Sequence, residues 1–150
     1  MKKAVFLFVL IAITMFTRAQ KNFGTGDTEF EKQLNILNSE AKSDLNSFKE
    51  DISKELNVSK DRIQELLNKA MEPVEIILSG RISGIAKTDF ENVIKSYEKN
   101  KDKGWGQIAK DLGINPGSPE FHELKDKPKH KPSSNGNSNG KGNSKGKAKN

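Results

Sequence analysis

TEFEKQLNILNSEAKSDLNSFKEDISKEL, residues 28–56, decides the fold class. Its apolar side chains Phe30, Leu34, Leu37, Ala41, Leu45, Phe48, Ile52 and Leu56 are spaced by threes and fours. That spacing lines them along one face of an α-helix, with Lys, Glu, Asp, Asn and Ser filling the other. Asp27 or Thr28 supplies an N-cap. The stripe therefore predicts one long N-terminal helix. Two phenylalanines and an alanine in it favour packing against neighbouring helices over a coiled-coil seam.

The pattern downstream is also helical. Asn57-Val58-Ser59 breaks the run, and Ser59 caps a second helix holding Ile63, Leu66, Leu67 and Ala70. Pro73 suits the first turn of a third helix, because its missing N–H has no partner there anyway. Val74, Ile77, Leu78 and Ile82 follow at helical spacing. Gly80 within it costs about 1 kcal/mol relative to Ala, which a close helix contact would explain; Gly84 reads as the stop. Thr88-Asp89-Phe90-Glu91 has the form of a capping box, followed by Phe90, Val93, Ile94 and Tyr97 as an apolar stripe. Gly104-Trp105-Gly106 opens a fifth helix with Trp105, Ile108, Ala109 and Leu112 inward and Gly113 as a left-handed C-cap. Asn115-Pro116-Gly117 is turn chemistry. Ser118-Pro119-Glu120 starts a sixth helix, anchored by Phe121 and Leu124. No strand alternation occurs. The expected fold is all-α: a small bundle of about five to six helices, one of them long, over residues 28–126.

The flanks have different compositions. Met1-Lys2-Lys3, the apolar run Ala4–Phe16 and Thr17-Arg18-Ala19 have the layout of a secretory signal peptide, cut between Ala19 and Gln20. A spanning helix needs about 20 apolar residues, more than this run supplies. Residues 1–19 are thus expected to be removed, leaving a periplasmic or extracellular protein. Residues 20–27, with Gly24 and Gly26, read as a flexible leader. Beyond Lys125 apolar residues nearly cease, and residues 127–150 read as a disordered Lys/Gly/Asn/Ser-rich tail.

The net charge of +6 conceals a division along the chain. Of 26 basic residues, three lie in 1–19 and seven in 127–150, so 20–126 keeps 16 against all 20 acids, a net −4. A mildly acidic body thus carries a basic tail. Lys127, Lys129, Lys131, Lys141, Lys145, Lys147 and Lys149 form a candidate polyanion-binding segment for envelope polymers, lipid headgroups or extracellular DNA. It has no aromatic residue to stack on bases.

Residues 104–125, GWGQIAKDLGINPGSPEFHELK, resemble the C-terminal signature of a family of small exported bacterial helical proteins of unknown function. The resemblance rests on Tyr97, Gly104, Trp105, Gly106, Ile108, Ala109, Lys110, Leu112, Gly113, Ile114, Pro116, Gly117, Ser118, Glu120, Phe121, His122, Leu124 and Lys125. More loosely it reaches back to about Phe48. It implies an exported helical protein with a Gly/Lys-rich tail, and it brings no activity with it.

Candidate chemistry is thin. The chain has no cysteine and two histidines, which leaves serine as the nucleophile type. Ser118 and His122 stand one helical turn apart, but Ser118 is better used as a cap and no orienting acid completes a triad. His122, Glu123, Asp126 and His130 offer ligand atoms without a metal-binding spacing; His122 is expected to be partly buried against Trp105 or Phe121. Trp105 between two glycines reads as a core anchor more than a binding platform. Gln107–Ile114 followed by Ser118–Asp126 has helix-turn-helix form, yet Glu120, Glu123 and Asp126 on the second helix would repel phosphate. The expectation is a non-enzymatic interaction or structural protein without a cofactor. The alternative is a periplasmic sensor or accessory subunit of a membrane complex that uses residues 28–56 as a partner helix.

Overall fold

The computed structural model describes residues 20–126; the expected signal and the basic tail lie outside the described residues. Within them the chain forms seven α-helices and no strand. These are α1 (Thr28–Ser43), α2 (Leu45–Leu56), α3 (Lys60–Asn68), α4 (Pro73–Ala86), α5 (Phe90–Asn100), α6 (Trp105–Asp111) and α7 (Pro119–Lys125), with a 3-10 turn, Lys101–Lys103, before α6. None is long and apolar enough to cross a membrane.

The sequence of α4, PVEIILSGRISGIA, is apolar almost all round, and such a helix must be covered on every side. It is the axis of the bundle, with α1, α2, α3, α5 and α7 packed around it. Val74, Ile76, Leu78 and Ile82 are fully buried among Phe48, Ile52, Ile63, Val93 and Ile94. Gly80 makes room for the Leu56 side chain of α2: a Cβ there would lie 2.3 Å from Leu56 Cδ2. Around this axis the other helices are amphipathic, each contributing one stripe.

Local signals place most boundaries. Asp27 Oδ1 caps α1 through Phe30 N–H at 2.9 Å, Ser59 caps α3, and Ser118 caps α7 through Phe121 N–H at 3.2 Å. Pro73 and Pro119 occupy first turns. Gly113, at φ 91°, lets Ile114 N–H reach Ala109 O at 2.9 Å and closes α6.

Several boundaries differ from the sequence reading. The long 28–56 helix is two helices. Asp44 leaves helical geometry (φ −144°, ψ 82°) and its carboxylate accepts from Ser47 N–H at 3.0 Å, so it ends α1 and caps α2. A short acidic side chain competes well for such N–H groups. Leu45 is consequently 41% exposed, while Phe48 and Ile52 remain in the core. α3 stops at Asn68, and Ala70 is left-handed at φ 62°. α4 runs past Gly84 to Ala86, ending at left-handed Lys87. The capping box at Thr88 does not form. Asp89 is the N-cap, without a side-chain bond. Glu91 instead accepts two hydrogen bonds from Arg62, at 3.0 and 2.7 Å, bridging α3 and α5. That pair holds the Glu91 carboxyl below its ordinary pKa.

The break at Asp44 makes neighbouring stripe positions unequal. Ile52→Ala is expected to cost about 2–5 kcal/mol in chemical denaturation, and Leu45→Ala no more than about 0.5 kcal/mol. Equal losses would mean that the stripe is continuous in solution.

Candidate functional site

The polar centre of the bundle is Glu75, in the first turn of α4 and only 4% exposed. A buried carboxylate needs donors, since an unpaired one costs several kcal/mol. Glu75 collects them from four parts of the chain. Glu72 N–H donates at 2.8 Å, Tyr97 Oη of α5 at 3.2 Å, Trp105 Nε1 of α6 at 3.3 Å, and Lys21 Nζ at 3.4 Å. Tyr97 and Trp105 stack with centroids 5.1 Å apart. Beside them Asn38 of α1 bonds the Glu72 carboxylate at 2.9 Å and accepts from Val74 N–H at 3.2 Å. Burial alone would raise the pKa of Glu72, but Lys42 and Asn38 outweigh it and hold it below its ordinary value.

Residues 20–27 are part of this site, which corrects the expectation of a flexible leader. Asn35 of α1 pairs with Lys21, accepting from its N–H and donating to its carbonyl, both at 2.9 Å. The two oxygens of Glu31 accept from Phe23 N–H at 2.8 Å and Thr25 N–H at 2.7 Å. On the other side, Trp105 N–H donates to Phe23 O and Gly106 N–H to Gly24 O, both at 2.9 Å. These are the unpaired first amides of α6, a helix whose N-cap, Gly104, has no side chain to offer. The leader therefore caps α6 with its own carbonyls, and Phe23 enters the core.

The glycines of the Gly-Trp-Gly turn make this approach possible. A Cβ on Gly104, where φ is 79°, would stand 2.7 Å from Gly24 Cα; one on Gly106 would stand 2.8 Å from Thr25 O. Both obstacles are backbone, which cannot swing aside. Over the junction opens a cleft of about 420 Å³, rimmed by Lys21, Lys101, Asp102 and Lys103. All four donors around Glu75 are already committed to it, so the carboxylate is engaged in holding the junction together.

Other residues singled out in the sequence fall as follows. Trp105 is 3% exposed, and Ile108, Phe121 and Leu124 are buried with it. Leu112 packs half-buried against the core. Pro116 and Gly117 form an exposed turn, Gly117 at φ 79°. His122 is exposed, contrary to the expected packing on Trp105 or Phe121; α7 turns Phe121 and Leu124 inward instead. Ser118 Oγ is taken up as the cap of α7, and its hydroxyl also helps lower the pKa of Glu120, after that residue's own backbone N–H. Among the described residues no three His, Asp or Glu side chains gather as a metal site; His130 and the seven tail lysines lie outside the described residues. The outward positions of α7 are Pro119, Glu120, His122 and Glu123.

Glu75 went unnoticed in the sequence because it sits in an apolar helix. The available signal was its place three residues after Glu72 and two after Pro73, a first-turn acid. No family model, curated protein or solved structure matches the chain.

Two outcomes follow from this geometry. Gly106→Ala should destabilise the protein by about 1–3 kcal/mol, read by thermal unfolding, although alanine is the better helix former; an unchanged melting temperature would show that the leader is not seated there. Tyr97 is the only tyrosine. Burial pushes its pKa well above 10.0, and the charge and hydrogen bond of Glu75 push it further. The folded state thus holds the proton more tightly than the unfolded state. The resulting stability is complete below about pH 10 and is lost as pH rises through the folded value. Tyrosinate absorbance should therefore appear together with unfolding, not before it.

Proposed function

We propose that this is an exported, non-enzymatic helical protein whose basic segment, 127–150, associates with anionic envelope or matrix components while the folded body serves as a structural or protein-contact module. The observation that carries this reading is the charge division, a net −4 over residues 20–126 against seven lysines and no acid in 127–150. Two features of the body support it. Its buried carboxylate is engaged with structural donors, and its capping serine is bound to a backbone amide. Neither is free for acid–base or nucleophilic work.

Lysines spaced by Gly, Asn and Ser stay hydrated and bind as point charges. Near an anionic lipid surface each contributes about 1 kcal/mol, screened within a Debye length. Binding should therefore be weak per site, tolerant of the polyanion's identity and steeply dependent on salt.

Co-sedimentation with phosphatidylglycerol vesicles tests the proposal. The chain from Gln20 to Asn150 should pellet with vesicles at low salt and be released at physiological salt or above. A chain ending at Asp126 should stay in the supernatant under both conditions. Equal retention of the two chains at low salt would overturn the role given to the segment.

A further inference from the structure

The face of α1 turned away from the leader is self-complementary, and we infer that it joins two copies of this chain in an antiparallel pair centred on Ile36. Ile36 is the most exposed large apolar side chain among the described residues, at 60%. It stands on the rim of a groove of about 400 Å³ between α1 and α4, floored by Phe30, Leu34, Leu37 and Ile77. An apolar knob and an apolar hole thus lie side by side on one surface. A two-fold axis near Ile36 sets each knob in the other copy's hole, which is the isologous arrangement closed dimers use. The groove is also unfinished in the single chain. Gln33 lines it, and Gln33 Oε1 is buried there with no hydrogen-bond partner among the described residues.

Charge decides the occupant and its direction. Lys32 and Glu40 lie four residues before and four after Ile36, on the same helical face. Antiparallel pairing about Ile36 brings Lys32 of each copy opposite Glu40 of the other, two attractive pairs for one contact. Parallel pairing would set lysine against lysine and glutamate against glutamate. Lys32 is free to turn, because its bond to Glu29, at 3.7 Å, joins two well-exposed side chains and is worth little.

The rest of the chain fits the groove poorly. Segment 127–150 has no large apolar side chain to fill it. Residues 4–16 are an apolar run, but Lys21 sits on the Glu31–Asn35 flank of α1, away from the Gln33–Ile36 flank. Contact through one helix face is small, which places the pair among weak, concentration-dependent dimers. Pairing brings two copies of segment 127–150 into one particle, and its retention on a polyanion rises by avidity. The dimer itself stands or falls independently of that segment's role.

Sedimentation velocity of the chain from Gln20 to Asn150, over a wide range of concentration, tests the inference. The chain should pass from monomer to dimer as concentration rises. Ile36→Glu should remain monomeric throughout. Lys32→Glu and Glu40→Lys should each weaken association by about tenfold or more, since each turns both cross-copy pairs repulsive. Joining them as K32E with E40K should return association to within about threefold of the parent, because the pairs are rebuilt with signs exchanged. Circular dichroism guards against a folding defect, which these exposed sites should not cause. A parent chain that is monomeric at every concentration overturns the inference. So does a dimer that survives Ile36→Glu, or a double exchange that fails to restore what the single changes remove.

Discussion

The bundle is organised by the need to satisfy polar groups that its own packing buries. Glu75 is the extreme case, an acid in the first turn of a helix that every neighbour covers. Removing its donors would leave a charge in a low-dielectric interior at a cost of several kcal/mol. The chain avoids that cost by bringing Lys21, the Glu72 amide, Tyr97 and Trp105 to one carboxylate. Those four groups belong to the leader, α4, α5 and α6. Once Glu75 is in place, the relative positions of these elements are largely set.

A second consequence concerns helices that are too short to be stable alone. α6 and α7 have seven residues each, well below the length at which isolated helices persist. α6 gains its stability from Trp105, Ile108 and Ala109 in the core and from the leader carbonyls at its first amides. α7 gains it from Phe121 and Leu124 and from its serine cap. Glycine is required at 104 and 106 by the closeness of the leader backbone, which explains the Gly-Trp-Gly turn without any bound ligand. That close approach is a sufficient structural reason for the turn to exist.

Legibility in the sequence followed the range of the interaction. Features set within one helical turn were readable: a cap at Asp27 or Thr28, the caps Ser59 and Ser118, the first-turn prolines, the left-handed Gly113, and the apolar periods that fix the all-α class. Features set by distant partners were not. Phe23 is a lone apolar residue among glycines, and only α1 and α6 show that it belongs to the core. Glu91 forms a capping pattern with Thr88 on paper, but Arg62 is the stronger partner for a carboxylate because it offers two parallel donors. Asp44 borders an apolar stripe that continues through Leu45 and Phe48, so periodicity passed over it, whereas its carboxylate found the Ser47 amide. Glu75 was hidden for the opposite reason, as a single acid in an apolar helix whose role depends on residues 54 positions earlier and 30 later.

The start of α1 and the end of α7 meet at one residue. Asp27 caps α1 with Oδ1 and takes Lys125 Nζ on Oδ2 at 2.7 Å, which lowers its pKa, first through that bond and then through the Phe30 amide. The pair is partly exposed, so it contributes little to stability in itself. Its effect is positional: it holds the end of α7 beside the start of α1. Arg81 of α4 adds a second tie, donating to the Glu123 carbonyl at 2.6 Å. Asp126, the last described residue, therefore follows a helix end that is held beside the first turn of α1. A body without disulfides is closed in this way by side chains that tie the start of α1 and the middle of α4 to the end of α7.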